Sequence, residues 1–348
     1  MKILHTSDLH IGHTVNGIDR SDEFKKAFEW LYQIIEKEKV DVLIISGDVF
    51  DVYFPSTHAI ALYYDFLLNL KNLVQKVVVI GGNHDSPKHL KAPKKILKYL
   101  DVIVVSGADD DYKEIIEFDD FEIVAVSFLR EHILKKFDED MIEAFKKIYK
   151  RKSQKKLIAT GHLTVHGSEV GSSEREIYIG KIESVPSSVF EGYDYVALGH
   201  IHKPQEIKKG TVYSGSLLQL GFNENYQKKV VLLETQNMEY KFLDVPKFRE
   251  FYSLKGSFEE VRGKIEHLEE KSFVEIELNE IVSSLSLDEL RRDDLFITKI
   301  NMPFKKLNSN ISLKTVSPEE FIKEIFKDDE DLDEMLEIVK KLKGPDED

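Results

Sequence analysis

Five short stretches of the chain place a carboxylate, a carboxamide or an imidazole directly after an apolar run. They are Ser7-Asp8-Leu9-His10, Gly47-Asp48, Gly82-Asn83-His84-Asp85, Gly161-His162 and Gly199-His200-Ile201-His202. The inventory for chemistry is therefore Asp8, His10, Asp48, Asn83, His84, His162, His200 and His202. One bridging carboxylate with imidazoles and a carboxamide can hold two divalent ions about 3.5–4 Å apart, the spacing of two-metal phosphoesterase sites. Asp48 is central enough in the set to be shared by both ions. Oxygen and imidazole donors without thiolate suit manganese, iron or zinc better than calcium. Such a pair of ions clamps the non-bridging oxygens of a phosphodiester and lowers the pKa of a bound water, which attacks phosphorus in line. His84 follows a candidate ligand directly. It could stabilise the pentacovalent charge or protonate the leaving oxygen, with Asp85 orienting its ring. The chain has twelve histidines in 348 residues, too few for four separate strand ends to carry them by accident beside Asp and Asn.

The elements that position these residues are legible from pattern. Residues 42–46 are a β-branched run that reads as a buried strand. Gly47 ends it, and Asp48 then stands at the carboxyl end of a strand, where open α/β folds place their sites. Further strands are expected at 2–6, 77–80, 102–105, 121–126, 157–160, 195–198, 211–214 and 230–234. The run at 121–126 is expected to start the second half of the sheet, and 211–214 with 230–234 to form a meander. Helices are expected from Ser21, over 57–70, as one basic helix over 88–99, and over 138–152. In the first, Phe24, Phe28, Leu31 and Ile35 make one apolar stripe, the mark of a helix packed on a core. Strand–helix alternation followed by mainly strands predicts an α/β (α+β) fold, a two-sheet sandwich with helices outside.

Composition bounds the rest. The length is comfortable for two domains. There is no cysteine, which excludes disulfides, iron–sulfur clusters and thiolate zinc sites. No apolar run reaches about 18 residues, and the chain opens almost at once on a strand, so a cytoplasmic, nucleoid-associated protein is expected. The net charge of −14 is unevenly spread: residues 315–348 hold thirteen acidic and five basic side chains. Local patches therefore matter more than the total for a nucleic-acid partner. Lys88, Lys91, Lys94 and Lys95 follow the candidate site directly and are read as DNA-phosphate contacts. The denser basic run at 146–156 is read as a solvated helix face. The 57–70 helix is apolar nearly all round, so a second buried contact is expected. Tyr63, Tyr64 and Leu67 suit a two-fold interface of a homodimer.

The composition shifts near Val245-Pro246, giving three regions: 1–245, a small α+β unit at 246–305, and 306–348. In the last, Ser317-Pro318-Glu319-Glu320 reads as a helix start. Two apolar stripes follow, Phe321, Ile322, Ile325 and Phe326, then Met335 and Leu336 with their neighbours. They are read as a helix-in-groove contact with a partner.

The motifs D-x-H, G-D, G-N-H-D, G-H and G-H-x-H resemble the calcineurin-like metallophosphoesterase superfamily over residues 1 to about 235. The stretches HTSDLHIG, GDVFD, GGNHDSP, YDYVALGHIHKPQ and YSGSLLQLGFNE resemble the SbcD-type exonucleases within it. The resemblance implies a two-sheet phosphoesterase (nuclease) domain over 1–245 and a DNA-capping domain over 246–305. It implies that 306–348 grips the coiled coil of an SMC-family ATPase, SbcC. It also implies two manganese ions, one on Asp8, His10, Asp48 and His202, the other on Asp48, Asn83, His162 and His200, with His84 catalytic. The implied activity is a DNA double-strand exonuclease and single-strand endonuclease acting in repair. A small-nucleotide phosphodiesterase and a non-catalytic scaffold are the alternatives. The chain carries Asp51 where archaeal and eukaryotic relatives often have histidine.

Overall fold

The computed structural model describes residues 1–91, 94–108, 111–137, 140–171 and 184–303, with Lys323 and Leu336. The strands of the first half are β1 (Lys2–Thr6), β2 (Val42–Ser46), β3 (Lys76–Ile80), β4 (Val102–Val105), β5 (Lys113–Glu117), β6 (Phe121–Val126) and β7 (Lys156–His162). Those of the second half are β8 (Tyr195–Gly199), β9 (Gln205–Lys208), β10 (Thr211–Tyr213), β11 (Lys229–Glu234), β12 (Glu239–Asp244), β13 (Phe251–Gly256), β14 (Phe273–Leu278) and β15 (Phe296–Asn301). Two six-stranded sheets form, in the orders β12-β11-β1-β2-β3-β4 and β5-β6-β7-β8-β10-β9. The strands that carry the site motifs, β1, β2 and β3 in one sheet and β7 and β8 in the other, run parallel to their site neighbours. Their carboxyl ends therefore lie together at one edge of the sandwich.

The apolar alternation of β2 shows why two faces are covered. Val42 and Ile44 point to a core shared with Ile123, Ile158 and Ala197 of the opposite sheet. Leu43 and Ile45 point the other way, to a core with the helices α1 (Ser21–Glu38) and α2 (Thr57–Leu70). The second sheet packs its outer face on α5 (Met141–Tyr149), through Phe145, Ile148 and Tyr149. The result is helix, sheet, sheet, helix, the predicted sandwich.

Several expectations are corrected. The segment before β6 is itself a strand: β5 pairs antiparallel with β6 and forms the sheet edge. Residues 211–214 and 230–234 make no meander, because β10 lies in the second sheet and β11 pairs with β1 in the first. Within the expected basic helix, Pro87–Lys91 (α3) and Lys94–Tyr99 (α4) are helical, and residues 92 and 93 lie outside the described residues. The α5 helix is shorter than expected, with Asp140 capping the amides of Ile142 and Glu143.

The dimer surface read from α2 is corrected most sharply. Tyr63 and Leu67 are wholly buried in this chain's own core, and Tyr64 packs half-buried against it. The second apolar face of α2 is used by α1: Phe28 stacks on Phe66 at 4.3 Å between centroids. A helix held between a sheet and another helix is apolar on two sides without any second copy.

Residues 251–301 form a separate three-stranded parallel sheet, β13-β14-β15, with its own core around Val261, Val274 and Ile276. Its first residues meet the sandwich through cations on rings. Arg20 lies over Phe251 and Phe273, and Arg249 over Phe273 and Phe296. Glu23 pairs with both arginines, so the joint buries charge only in neutralised form. Residues 304–322, 324–335 and 337–348 lie outside the described residues, and with them Phe321, Ile322, Ile325, Phe326 and Met335. Among the described residues, no helix is long and apolar enough to cross a membrane.

Candidate metal centre

The ligand-bearing turns are tied to one another before any ion is considered. The amides of Asp8, His10 and Ile11 donate to the carbonyls of Gly47, Asp48 and Val49 at 2.8–3.0 Å. The His200 amide donates to the carboxylate of Asp8 at 3.0 Å, and the His84 amide to Asp48 Oδ1 at 2.9 Å. Four of these residues take positive φ: Asp8 at 49°, His10 at 47°, Asp48 at 46° and His200 at 95°. Non-glycine residues avoid this region, and each costs of order 1–3 kcal/mol that the surrounding structure must supply. Glycine supplies the room. A Cβ on Gly47 would lie 2.2 Å from His162 Nδ1, and one on Gly82 would lie 2.1 Å from Asp48 Oδ1.

The structure brings all seven sequence-read ligands to one crevice. Two groups lie within metal-ligand reach, Asp8 with His10 and His202, and Asp48 with His162 and His200, all buried. Asp48 Oδ2 is 3.2 Å from His162 Nε2 and 3.8 Å from His10 Nε2, so one oxygen faces both groups. Asn83 Oδ1 completes the second group, 3.0 Å from His162 Nε2 and 3.0 Å from His200 Nδ1.

The donor set fits divalent cations. His162 donates Nδ1–H to the Ser46 carbonyl at 2.8 Å, so in the neutral ring the lone pair is on Nε2. That lone pair faces a carboxylate oxygen and an amide oxygen, an arrangement that a cation between them turns from repulsive to favourable. His10 donates Nδ1–H to Asp51 at 3.2 Å, while its Nε2 is buried with no hydrogen-bond partner. His202 donates Nδ1–H to Glu224 at 2.7 Å. Each of these three rings is thus fixed through Nδ1 and offers Nε2.

The charges of the site show the same balance. Burial lowers the pKa of His10, but Asp51, Asp48 and Asp8 outweigh it and hold it up at about 9. Burial also opposes the charge of His162, and Asp48 above all raises it to about 9. His200 is pushed down to about 3 by burial and by His162. Burial works against the Asp48 carboxylate, yet His162, His84 and His10 keep it well below its ordinary range. The crevice is a set of carboxylates short of positive charge.

His84 lies beside the group, its ring 5.0 Å from that of His10. Its Nδ1 donates to the Asp51 carbonyl at 2.6 Å. Asp85 does not orient it, contrary to expectation. The Asp85 carboxylate accepts the amides of Val49, Phe50 and Gly82 at 2.9–3.1 Å and so ties two ligand turns together. Adjacency in sequence does not make a pair here, because the turn gives the two side chains different partners.

Of the basic residues read as phosphate contacts, Lys88 is exposed on α3 and Lys91 is paired with Asp111. Lys94 and Lys95 lie on α4. Sequence reasoning assigned no role to Glu224, Ser46 or Arg130, and left Asp51 without one. Asp51 and Glu224 both lie inside motifs quoted above, GDVFD and YSGSLLQLGFNE, which was the available signal.

A family model described as calcineurin-like phosphoesterase matches residues 1–204, a span that holds all eight residues of the inventory. The SbcD component of the SbcCD nuclease of Escherichia coli (strain K12) is 31% identical over 294 residues, covering 76% of this chain and 74% of that protein. The SbcD component of the SbcCD nuclease of Staphylococcus saprophyticus is 30% identical over 295 residues, covering 80% and 78%.

Proposed function

This chain belongs to the calcineurin-like phosphoesterase family and, within it, to the SbcD group, and from that membership we propose that it is a manganese-dependent DNA nuclease acting on double-strand ends and on single strands. The observation that carries the reading is Asp48 Oδ2, facing His162 and His10 from one carboxylate. On this reading Asp8, His10, Asp48 and His202 hold one ion, and Asp48, Asn83, His162 and His200 the other. Two ions held there would neutralise the phosphate oxygens and lower the pKa of a bound water.

The chain's own residues do the rest. The Asp51 carbonyl keeps a proton on His84 Nδ1, so Nε2 is the atom left for the substrate. A proton on Nε2 passes to the leaving oxygen as the phosphorus–oxygen bond breaks. Asp85 acts on the backbone, holding the turns of Asp48 and Asn83 in register. Lys88, Lys91, Lys94 and Lys95 guide the phosphate backbone toward the site. Residues 246–305 cap the DNA. Residues 306–348 dock on an SbcC-like ATPase. A homodimer would use exposed residues of α2, such as Leu68, since Tyr63 and Leu67 are internal.

The test is His84→Gln, assayed on linear duplex and on short single strands in manganese and in magnesium, with manganese binding measured alongside. Metal and DNA affinity should largely persist while the rate falls about 10²–10⁴-fold. Loss of metal together with activity would make His84 a ligand. A wild-type protein that turns over only a small chromogenic phosphodiester would be a small-nucleotide enzyme instead.

A further inference from the structure

The loop after Asp51 exposes what a folded chain ordinarily buries. Val52, Tyr53 and Phe54 are 51%, 43% and 78% exposed, three in a row. The other large exposed apolar side chains among the described residues are not consecutive in the chain, and scattered ones need no explanation. The loop is also close to the chemistry, since Asp51 contacts both His10 and His84. The rings of Tyr53 and Phe54 meet edge to face at 5.1 Å. Arg130 lies 5.5 Å from the Tyr53 centroid and 6.0 Å from that of Phe128. Its Nη2 is fixed by the carbonyl of Asp85 at 2.9 Å. Phe128 in turn meets the candidate ligand His162 edge-on at 6.3 Å. A row of aromatic faces holding one guanidinium therefore leads from the outside to the metal centre.

Resting on the nuclease reading, we propose that Tyr53 and Phe54, with Arg130 beside them, form a stacking platform for unpaired bases of the strand whose phosphodiester lies in the metal centre. Every base has a π-face, so such a platform accepts any sequence, as an end-processing nuclease requires. The exposed phenyl ring of Phe54 takes a base by stacking. Arg130 holds Tyr53 by cation–π attraction and adds positive charge for the backbone phosphate. The competing occupant is a second copy of this chain, covering the same rings.

The experiment titrates the full chain, in chelator, against a single strand carrying 2-aminopurine at its two terminal positions. The fluorescence of this base falls on stacking. Wild type should quench it, and Tyr53→Ala and Phe54→Ala should each weaken binding about 10-fold, the scale of one lost base–aromatic contact. A strand with abasic tetrahydrofuran units at those positions should bind wild type and variants alike. Equal affinity of wild type and Phe54→Ala for the 2-aminopurine strand overturns the platform. A change from dimer to monomer on sedimentation of Phe54→Ala, with strand binding unchanged, overturns it in favour of the second copy. A wild-type protein that hydrolyses a chromogenic phosphodiester but binds neither strand overturns the nuclease reading itself, and the platform with it.

Discussion

Asp51 Oδ1 lies 3.2 Å from Nδ1 of His10, and the carbonyl of the same residue lies 2.6 Å from Nδ1 of His84. One residue thus sets the ring of a candidate ligand and the ring of the candidate acid. It uses its side chain for the first and its main chain for the second, so substitution separates the two.

Asp51→Ala removes the carboxylate and keeps the carbonyl. Manganese affinity should fall about 10–100-fold, the usual cost of losing the group that orients a ligand histidine. At saturating manganese the rate should stay near wild type, because His84 keeps its acceptor. Asp51→Asn retains an acceptor for His10 and should fall between. Paramagnetic resonance titration of manganese measures the first quantity and DNA cleavage the second. An unchanged manganese affinity in Asp51→Ala would remove Asp51 from the design of the site.

Glu224 plays the matching part for His202, and it also holds a buried lysine. Its carboxylate accepts His202 Nδ1 at 2.7 Å, Lys228 Nζ at 2.7 Å and the Leu220 amide at 2.9 Å. Burial works against its charge, but Lys228 and His202 outweigh this and keep its pKa low. Glu224→Ala removes the carboxylate that lies 2.7 Å from the buried Lys228 ammonium, a loss of about 3–5 kcal/mol of stability. Adding Lys228→Met should recover much of that in urea denaturation. The double variant still lacks the acceptor for His202, so its manganese affinity should stay low. Recovery of metal affinity together with stability would mean that Glu224 serves the fold alone.

The crevice was legible in the sequence because each of its turns follows an apolar strand and most open with glycine, and the parallel strands bring such ends together. The groups that fix the rings were not. Glu224 sits 22 residues after His202, and nothing local pairs them. The α2 helix misled for a physical reason. Its apolar surface on all sides says that two faces are buried, but not whether the second, which holds Phe66 against Phe28, is covered from within the chain or by another copy. The edge strands β5, β9 and β12 carry polar residues on their open faces, so their apolar signal is weak. The sheet membership of β10 and β11 is decided by long-range pairing with β8 and β1, which periodicity does not encode.

His5 gives the fold a pH dependence separate from that of the metal centre. Its Nε2 faces the Leu198 carbonyl at 3.2 Å, which can only accept, so Nε2 carries the proton. Its Nδ1 then accepts from the Tyr195 hydroxyl at 3.1 Å. This arrangement holds only for the neutral ring. Burial pushes its pKa down from 6.5 to about 3, with the Leu198 carbonyl pulling the other way. Between these values the unfolded chain binds a proton that the folded chain does not, so acid favours unfolding. His5 should therefore remove roughly 1.4 kcal/mol of stability for each pH unit below 6.5, until the slope ends near pH 3. His5→Gln should be less stable at pH 7.5, having lost hydrogen bonds, yet its stability should fall less steeply toward pH 4. Urea denaturation of both proteins in chelator, across that range, measures the difference in slope. Parallel profiles would mean that His5 is protonated in the fold and that another group supplies the acid sensitivity. Tyr195→Phe keeps the ring buried and removes only the hydroxyl, so it should retain the wild-type slope.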